Sequence, residues 1–406
     1  MPAQTSTQQN YTFQWIALLG LLTALGPLSI DMYLPALPEM AQDFGTTTQS
    51  ISSSVPAYFL GLAIGQLIYG TLSDRIGRKT PLYIGLSIYI VASLLCAFAM
   101  SENTLIAARV LQALGGCVGV VIARAAIRDC FDTVTSVQAL AHMTLILGLA
   151  PILAPIVGAL LLQFFNWHFI FVLLASIGLI TLVFVHLTFK ETLPEERRLH
   201  LTLKQIFILY GNILKDSSFR TPMLAMSFFS GLLFCYLTSS SALMIESLGF
   251  NQKTFALVFG VNAFGIMVFS FINSRLVKKV GLLPLLQFGG SLQLMGAVLL
   301  GLMAYLPEPN LPVVLLGMFL VVSAIGFTGP NATALALSGQ RERAGAASAL
   351  LGSMQFGFGL MAGVILYHLD WTTLTNMSVV MLGYAVMGLF CVYILRIRAK
   401  RAMKKA

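Results

Sequence analysis

The chain has 406 residues, of which 57% are hydrophobic and only 10% are charged, and its formal net charge is +9. Soluble domains carry about 25% charged residues, so this composition excludes an ordinary soluble protein and indicates a membrane protein. The positive net charge alone would allow a nucleic-acid partner, but the way it is distributed among the loops favours a role in membrane orientation.

Apolar segments long enough to cross a bilayer recur twelve times along the chain. A spanning helix needs roughly 20 mostly apolar residues. Lipid offers no hydrogen-bond partner to the backbone, so all twelve segments are predicted to be helices and no strands are expected. The predicted spans are residues 15–36, 50–72, 81–101, 104–125, 137–163, 167–189, 220–245, 253–274, 283–306, 311–335, 345–368 and 374–396.

Lysine and arginine concentrate on one side of these spans. The segments around 75–79, 124–128, 190–220, 275–279, 341–343 and 396–405 hold 22 of the 24 basic residues. Cytoplasmic loops collect basic residues, so both termini are predicted to face the cytoplasm. The five cysteines show no paired spacing, and no disulfide framework, metal site or other cofactor is expected.

A long polar stretch divides the spans six and six. We predict an N-terminal half over residues 1–189, a cytoplasmic linker over 190–219, a C-terminal half over 220–396 and a basic tail over 397–406. Within the linker, LTLKQIFILYGNIL is predicted to form an amphipathic helix along the membrane surface.

An internal repeat supports two related halves. Residues 65–79 read GQLIYGTLSDRIGRK and residues 265–279 read GIMVFSFINSRLVKK. Gly65, Arg75 and Lys79 of the first segment match glycine, arginine and lysine of the second. Parallel repeats of six helices with a central binding site are typical of one large transporter class, so an all-α membrane fold of two pseudo-symmetric bundles is predicted.

The first copy of this repeat resembles the loop signature of the major facilitator superfamily. RVLQALGG at 109–116 is similar to the fourth-span signature Arg-x-x-Gln-Gly of that superfamily, with Ala113 in place of the usual glycine. PLSIDMYLPALP, NWHFIF and KETLPEERR together resemble the bicyclomycin- and chloramphenicol-resistance branch of the drug:proton antiporters. The resemblance implies twelve helices, alternating access and proton-coupled drug efflux.

The resemblance also implies roles for particular residues. The loop signature implies a cytoplasmic latch between the halves, in which Asp74 lies near the start of the eleventh helix; its residues are Gly65, Gly70, Asp74, Arg75, Gly77, Arg78 and Lys79. From the residues themselves, Gly70 and Gly77 are interpreted as turn glycines. The tendency of cytoplasmic loops to carry basic residues would also explain Arg75, Arg78 and Lys79, but it does not explain Asp74 among them.

Asp31 and Arg109 are the charges that lie well inside predicted spans. At 1.5 Å per residue, Asp31 lies about 24 Å along the first helix and Arg109 about 7 Å below the outer face, so both are at a similar depth. Arg109, Gln112 and Gly116 share one face of the fourth helix. Charges inside a membrane cost about 2.5–3.5 kcal/mol each, which favours a functional role.

Asp31 is therefore predicted to exchange a proton between the two sides, with Arg109 tuning it. The alternatives are a structural buried ion pair, or an aspartate that reaches the outer interface. An uptake or export system for a polar metabolite, with Arg109 binding the substrate, keeps the same fold. A membrane-embedded enzyme is not expected, because the sequence shows no nucleophile pair or metal cluster.

Two further sets of residues complete the predicted site. Gly148, Pro151, Pro155 and Gly158 form one kinked face of the fifth span, and APIVGA resembles an antiporter signature with two glycines replaced by Ala154 and Ala159. Tight helix packing is the more direct explanation of this face, and it is compatible with a role in antiport. Candidate drug contacts, each of which could be ordinary packing, are Tyr33, Tyr58, Phe234, Tyr236, Phe259, Asn262, Asn331, Met354 and Gln355. The expected partners are a small drug, protons and lipid, and the protein is expected to be a monomer.

Overall fold

The computed structural model describes residues 13–130, 133–198, 203–340, 343–369 and 373–403. Within these ranges some side chains are not described, namely those of residues 13, 14, 16, 133–142, 144–147, 197, 203, 402 and 403. All regular elements in these ranges are helices. This agrees with the prediction of an all-helical membrane fold.

In the described residues the first half contains eight α-helices. The first and second helices together form one span, and the third and fourth form the next. They are α1 (Phe13–Asp31), α2 (Leu37–Phe44), α3 (Thr48–Ser52), α4 (Ser54–Ile76), α5 (Lys79–Ala97), α6 (Glu102–Cys130), α7 (Thr133–Leu161) and α8 (His168–Thr188). A short 3₁₀ turn, Leu34–Ala36, joins α1 to α2. Pro35 lies inside this turn, Pro38 lies in the first turn of α2 and Pro27 lies inside α1, so the chain bends directly after Asp31.

The second half follows a short surface helix, α9 (Leu203–Lys215). Its helices are α10 (Ser217–Ser241), α11 (Gln252–Val280), α12 (Leu282–Ala304), α13 (Leu311–Ser323), α14 (Ile325–Leu337), α15 (Ala344–Tyr367) and α16 (Thr373–Met403). A π-helical turn, Ala242–Ser247, extends α10. The last helix continues well beyond the predicted span and includes residues 397–403 of the predicted tail.

In the described residues, eleven helical segments are long and apolar enough to cross a membrane. They correspond to eleven of the twelve predicted spans. The remaining predicted span, residues 137–163, corresponds to α7, and the apolar part of α7 with described side chains is Gly148–Leu161. Large apolar side chains such as Val91, Leu187, Phe264 and Phe390 point outward, as a lipid-facing surface requires.

The same helix pairings occur in both halves. α1 packs on α6, α7 and α8, while α4 and α5 both pack on α6. Correspondingly, α10 packs on α14, α15 and α16, while α11 and α12 both pack on α13 and α14. The two halves meet along α4 with α15 and along α7 with α11, which are equivalent pairs under the repeat.

The register of the repeat differs from the one read in the sequence. The sequence comparison pairs Gly77 with Val277, but the structure places the equivalent turn glycine at Gly281, one helical turn later. Gly77 has φ 92° and ψ 176°, and Gly281 has φ 90° and ψ 165°. Likewise Gly61 abuts α6 and Gly265 abuts α13, the equivalent helix. Side chains four positions apart share a helix face, so a shift of one turn preserves the pattern and hides the error.

The loops divide the molecule into two faces. We call the face that carries the loops after α4, α6, α8, α11 and α14 the basic face, because those loops and the helix ends beside them hold most of the lysine and arginine. The other is called the opposite face. On the opposite face the segment NWHFIF meets α2, which begins at the end of PLSIDMYLPALP: the Trp167 indole donates to Asp43 Oδ2 at 2.7 Å, and the Trp167 backbone N–H donates to Glu39 at 3.3 Å.

Candidate functional site

Arg109 lies at the centre of the first half, buried completely between two tyrosine rings. Its guanidinium carbon is 4.3 Å from the Tyr33 ring centroid and 4.2 Å from that of Tyr58, with Phe171 farther away at 5.9 Å. A cation over an aromatic face is stabilised by about 2 kcal/mol when it is desolvated. The two rings therefore offset part of the cost of burying this charge.

A chain of hydrogen bonds fixes the position of Arg109. Its Nη1 donates to Gln112 Oε1 at 2.6 Å, and Gln112 Nε2 donates to Ser93 Oγ at 2.8 Å. Ser93 in turn donates to the Tyr89 carbonyl at 2.7 Å. Gly116 provides room for this arrangement, because a Cβ there would lie 3.1 Å from the Tyr89 ring. The predicted triplet Arg109, Gln112 and Gly116 thus forms one packed unit.

Two nitrogen atoms of Arg109 remain without a hydrogen-bond partner. Nε and Nη2 are both buried, and the part of the chain that the structure describes offers them no acceptor. Unsatisfied buried donors cost roughly 1–3 kcal/mol each. Such a cost in the buried centre of a helical bundle marks a position where an additional acceptor would bind favourably.

Asp31 is the last residue of α1 and is only 4% exposed. It forms no hydrogen bond or ion pair with any residue in the described ranges. It lies within electrostatic range of the Tyr236 hydroxyl on α10, and the turn that follows it packs on α10 and α11. The carboxyl group is therefore placed where the first half meets the second.

Asp31 and Arg109 lie at a similar depth but are not paired in this conformation. Tyr33, two positions after Asp31, contacts Arg109, so the end of α1 lies at the level of that guanidinium. Between the charges there is nevertheless no ion pair, because Arg109 is enclosed by the rings inside its own half while Asp31 faces the other half. The alternative of a structural buried ion pair is therefore not supported by this geometry.

The second half contributes neutral polar and aromatic groups. Asn262 on α11 donates to the Tyr236 hydroxyl at 3.0 Å, and the Tyr236 and Phe259 rings lie 5.5 Å apart. All three side chains are buried. Three of the candidate drug contacts thus form one group near Asp31.

An aromatic cluster joins the halves and includes two residues absent from the candidates. The rings of Phe59 on α4 and Phe234 on α10 lie 4.5 Å apart, and Phe234 and Phe356 on α15 lie 5.4 Å apart. Phe59 also stacks on Phe356 at 6.2 Å. No local pattern in the sequence marks Phe59 or Phe356, because the contact joins helices distant in the chain.

Three other candidate drug contacts lie outside the group formed by Tyr236, Phe259 and Asn262. Asn331 donates to Asn273 Oδ1 at 2.7 Å and to the Phe327 carbonyl at 2.8 Å, inside the second half. Met354 packs with the apolar cluster beneath α9 near the basic face. Gln355 is half-buried on α15 beside Phe356.

The kinked face of α7 packs closely at both of its ends. A Cβ at Gly158 would collide with the Met32 carbonyl at the bend after α1, and a Cβ at Gly148 would lie 3.2 Å from Met267 on α11. Pro151 and Pro155 lie between them inside the helix. This face therefore links the bend beside Asp31 to the other half.

On the basic face, Arg78 is the centre of a charge network. It is 3% exposed, and it donates to Asp74 at 2.5 Å, to Asp129 at 2.8 Å and to Ser73 at 2.9 Å. Burial disfavours the charged guanidinium, but the hydrogen bonds and charges of Asp129 and Asp74 outweigh burial and raise the pKa of Arg78. A Cβ at Gly345, in the first turn of α15, would lie 3.8 Å from Asp74 Oδ2.

Glu191, in the KETL segment, forms hydrogen bonds with the backbone of the same loop. Its carboxylate accepts hydrogen bonds from the backbone N–H groups of Arg78 at 2.8 Å and of Lys79 at 3.1 Å. Partial burial alone would raise the pKa of Glu191, but the hydrogen bonds from Arg78, Leu193, Lys79 and Thr192 outweigh it, so the pKa lies below its usual value.

Of the glycines in the loop signature, one lies in a turn and two lie where helices pack closely. Gly77 has the positive φ that requires glycine, and a Cβ there would lie 2.9 Å from Glu191 Cδ. The interpretation of Gly70 as a turn glycine is wrong, because it lies inside α4 and a Cβ there would lie 2.9 Å from Ala349 on α15. Gly65 similarly abuts Cys117 on α6.

The remaining signature residues lie at the edge of the network. Arg75 is exposed, and Lys79 Nζ lies 5.8 Å from the Tyr83 ring. Asp129 and Glu191 were absent from the predicted latch. Their signal in the sequence is that both are acids in segments otherwise rich in bases, on the same side as Arg78.

Two related helical bundles, in contact around buried charges and aromatic groups, define a membrane transporter. The chain matches the sequence profile of the Major Facilitator Superfamily over residues 19–364. This chain belongs to that superfamily.

Similar sequences identify the branch within the superfamily. The chain is 34% identical to the uncharacterized MFS-type transporter YdgK of Bacillus subtilis, covering 91% of this chain and 92% of the relative. It is 31% identical to the bicyclomycin resistance protein homolog of Haemophilus influenzae, covering 96% and 98%. Multidrug resistance protein D of Escherichia coli is 27% identical over 86% of this chain and 87% of the relative. The predicted resemblance to the bicyclomycin-resistance branch is confirmed.

Solved structures of transporters share the fold. A POT family transporter in complex with 5-aminolevulinic acid superimposes with a TM-score of 0.76, at 13% identity, over 95% of this chain and 96% of that chain. A D-xylose-proton symporter gives a TM-score of 0.71 at 16% identity over 93% and 95%. The predicted major facilitator fold is confirmed.

Proposed function

We propose that this protein exports small-molecule drugs across the bacterial inner membrane in exchange for protons, by alternating access. The observation that carries the proposal is Asp31, a buried carboxyl group without a cation partner at the contact between the halves. An uncompensated buried carboxylate is costly, and taking up a proton removes that cost. A change in which half contacts Asp31 would therefore change how readily it holds a proton.

We infer the class of cargo from the residues that line the site and from the names of similar proteins. Phe59, Phe234 and Phe356 offer an apolar surface shared by both halves, and Tyr236 and Asn262 offer polar groups beside it. Drug-sized ligands bind in mostly apolar sites with a few polar groups. Two of the relatives are named for bicyclomycin and multidrug resistance. These observations support drugs as the cargo.

One proton supplies enough free energy for useful export. Moving one charge through 100 mV releases about 2.3 kcal/mol. A tenfold concentration ratio costs about 1.4 kcal/mol. Exchange of one proton for one neutral drug molecule therefore supports a concentration ratio of some tens-fold, before any pH difference is added.

Alternating access needs a contact that opens and closes on each side. We assign the basic face to the cytoplasm, as the distribution of lysine and arginine favours. There the Asp74 carboxylate lies beside the first turn of α15, where the helix dipole favours an anion. This contact supports the proposal that the residues of the loop signature form a latch that holds the basic face closed.

The proposal is tested first by cargo and then by coupling. Expression in a bacterial strain without its own efflux pumps should raise resistance to bicyclomycin or to another drug in a panel. In inverted membrane vesicles, that drug should release a preformed pH gradient. Asp31→Asn should abolish the proton movement while binding of the drug persists. The matched control is Asp43→Asn on α2, which should retain coupling. Proton-coupled export by the Asp31→Asn variant would contradict the assignment.

A second candidate function rests on the unpartnered nitrogens of Arg109. A carboxylate or another anionic group on a polar metabolite would supply acceptors for Nε and Nη2. In that case Arg109 binds the cargo. Vesicle transport separates the candidates, because the cargo would be an anion, and Arg109→Lys would weaken its binding by losing the two parallel donors.

A further inference from the structure

The linker helix α9 contacts both halves of the protein at the basic face. Its buried side chains belong to one apolar cluster with residues of α10 and α15; the cluster includes Ile206, Tyr210, Ile213, Phe219, Met223, Leu350 and Leu351. The Tyr210 hydroxyl also donates to the Leu67 carbonyl of α4 at 3.4 Å. α9 therefore covers the line along which α4 of the first half meets α15 of the second, which we call the seam.

α9 lies on the side of the seam that faces lipid. Leu350 and Met361, eleven positions apart, share one stripe of α15. Met361 is 42% exposed, whereas Leu350 is 5% exposed because it belongs to the cluster beneath α9. On α4, Ile64 and Ile68 beside Leu67 are exposed as well. α9 therefore occupies a place on the wall of the bundle that lipid would otherwise fill.

The outer surface of α9 carries large apolar side chains and two cations. Phe207 is 73% exposed and Ile208 is 52% exposed. Lys204 and Lys215 are exposed on the same side as Ile208, since positions four, seven and eleven apart share a helix face. The sequence of α9 contains no acidic residue. Exposed apolar groups beside lysines are typical of helices that lie in the interface of a membrane.

α9 also lies close to the charge network of the loop signature. Burial above all, and then the charge of Asp74, raises the pKa of the Tyr210 hydroxyl to about 12. A Cβ at Gly70, one helical turn before Asp74, would lie 2.9 Å from Ala349, the neighbour of Leu350. An interaction that holds α9 in place therefore acts where the two halves meet on the basic face.

The charge around α9 favours an anionic partner. Arg220, at the start of α10, is exposed and lies close to Lys215 in the chain. The acid between them, Asp216, accepts hydrogen bonds from Ser218 and Gln340. Lysines near a membrane are attracted to anionic headgroups, while their stems stay in apolar surroundings. An anionic phospholipid fits both the aromatic ring and the cations, whereas a free anion would leave the ring uncovered.

We propose that α9 binds anionic phospholipid of the leaflet at the basic face, with Lys204 and Lys215 at the headgroups and Phe207 among the acyl chains. Bound lipid favours the position of α9 over the seam, and α9 in that position adds its contact with α4 to those that close the basic face. A ligand shifts an equilibrium by the difference in its affinity for the two states. The ratio of closed to open protein therefore rises with the amount of anionic lipid. The inference rests on the proposed alternating access and adds a lipid partner to it.

The first experiment tests the position of the aromatic ring. The full protein is reconstituted into phosphatidylcholine vesicles whose acyl chains carry bromine, which quenches fluorescence. Phe207→Trp and Asn212→Trp each add one indole at an exposed position of α9, and the unmodified protein corrects for its three tryptophans. Most of the added fluorescence should be lost at position 207 and retained at position 212, which lies on the polar side of the helix. Equal quenching at the two positions would overturn the inference.

The second experiment tests the headgroup. In Phe207→Trp, brominated phosphatidylglycerol diluted into plain phosphatidylcholine should quench more than brominated phosphatidylcholine at the same dilution. Lys204→Gln combined with Lys215→Gln should lower this preference by at least about fivefold, the contribution of one lysine near an anionic surface. The matched control, Lys278→Gln combined with Lys279→Gln, removes the same charge from another loop of the basic face and should keep the preference. Quenching without a headgroup preference, or the same loss in both pairs, would contradict an anionic lipid as the partner.

The third experiment measures closure of the basic face. Spectroscopic distances between labels on α4 and α15 should shorten when phosphatidylglycerol replaces part of the phosphatidylcholine, in the unmodified protein and in the control pair. They should not shorten when Lys204 and Lys215 are both replaced. Distances that do not depend on lipid in the unmodified protein would overturn the role of α9 at the seam. All three measurements are made without drug or a proton gradient, so a failure of drug-driven proton movement would refute the proposed function and not the lipid site.

Discussion

The loop between α4 and α5 and the loop between α11 and α12 have the same backbone but different chemistry. Both turn at a glycine with φ near 90°, Gly77 in the first and Gly281 in the second. In the first loop a buried Arg78 binds two aspartates and Glu191 binds the backbone. In the second, Lys278 and Lys279 are exposed. Both copies therefore share the helix packing of the repeat, while the buried charge network lies in the first copy.

The same division holds inside the membrane. The first half carries Asp31 and Arg109, whereas the buried polar groups of the second half are neutral, as in Asn262, Gln293 and Asn331. Gln293 donates to two backbone carbonyls, at 3.1 and 3.2 Å, which holds α12 to its neighbours. The second half therefore supplies a rigid wall with adaptable aromatic groups, and the first half supplies the charges.

The largest expected difference between the two loops is the loss of stability when one basic residue is removed from each. Arg78→Ala leaves Asp74 and Asp129 close together without their cation. Breaking a buried pair costs about 3–5 kcal/mol, and the partial exposure of the two aspartates lowers this to roughly 2–3 kcal/mol. Lys278→Ala should change stability by less than about 0.5 kcal/mol. Thermal unfolding of the purified variants measures both.

The same pair of variants tests the latch. Spectroscopic distances between labels on α4 and α15 at the basic face should lengthen in Arg78→Ala and stay constant in Lys278→Ala. Equal stability and equal distances in the two variants would show that the charge network has no role in closing this face.

A smaller difference is expected from the turn glycines themselves. Both lie in a backbone region that is essentially restricted to glycine, so an alanine costs about 1–3 kcal/mol at either position. At Gly281 the nearest atom to a new Cβ is Pro284 Cδ at 3.9 Å, whereas at Gly77 it meets the Glu191 carboxylate. Gly77→Ala should therefore lower the melting temperature more than Gly281→Ala does. The reverse order would contradict the role of Glu191 in holding the loop.

The sequence was sufficient for the fold because hydrophobic length and charge bias act locally. Each apolar segment specifies its own helix, and a helix cannot be avoided in lipid. The candidate site was predicted less well. Asp31 and Arg109 stand out as charges, but their separation depends on Tyr33 and Tyr58 enclosing the guanidinium. That enclosure is a tertiary contact, and no spacing along one helix encodes it.

The contacts between halves were the hardest to foresee. Phe59 meets Phe234, and Thr48 meets Glu246, across helices that are far apart in the chain. Neither pair has a local signature, because apolar and hydroxyl residues are common in all spans. The one-turn error in the repeat has a related cause, since helix periodicity returns the same face after four residues.

The smallest expected effect is a change in the pH dependence of stability, caused by Glu191. The pKa of Glu191 in the folded protein lies below its ordinary value of 4.5, because backbone N–H groups stabilise the carboxylate. A group with a lowered folded pKa contributes stability above its unfolded pKa and loses that contribution as the pH falls through the folded pKa. Glu191→Gln should therefore lower the melting temperature at pH 7. The difference from the unmodified protein should shrink as the pH falls below about 4.5, because protonation then removes the same interaction. Glu195→Gln, which affects an exposed acid of the same segment that binds Arg198 at the surface, is the control and should change the melting temperature at pH 7 much less than Glu191→Gln does. A deficit in Glu191→Gln that is constant with pH would mean that side-chain size, and not the carboxylate charge, holds the loop.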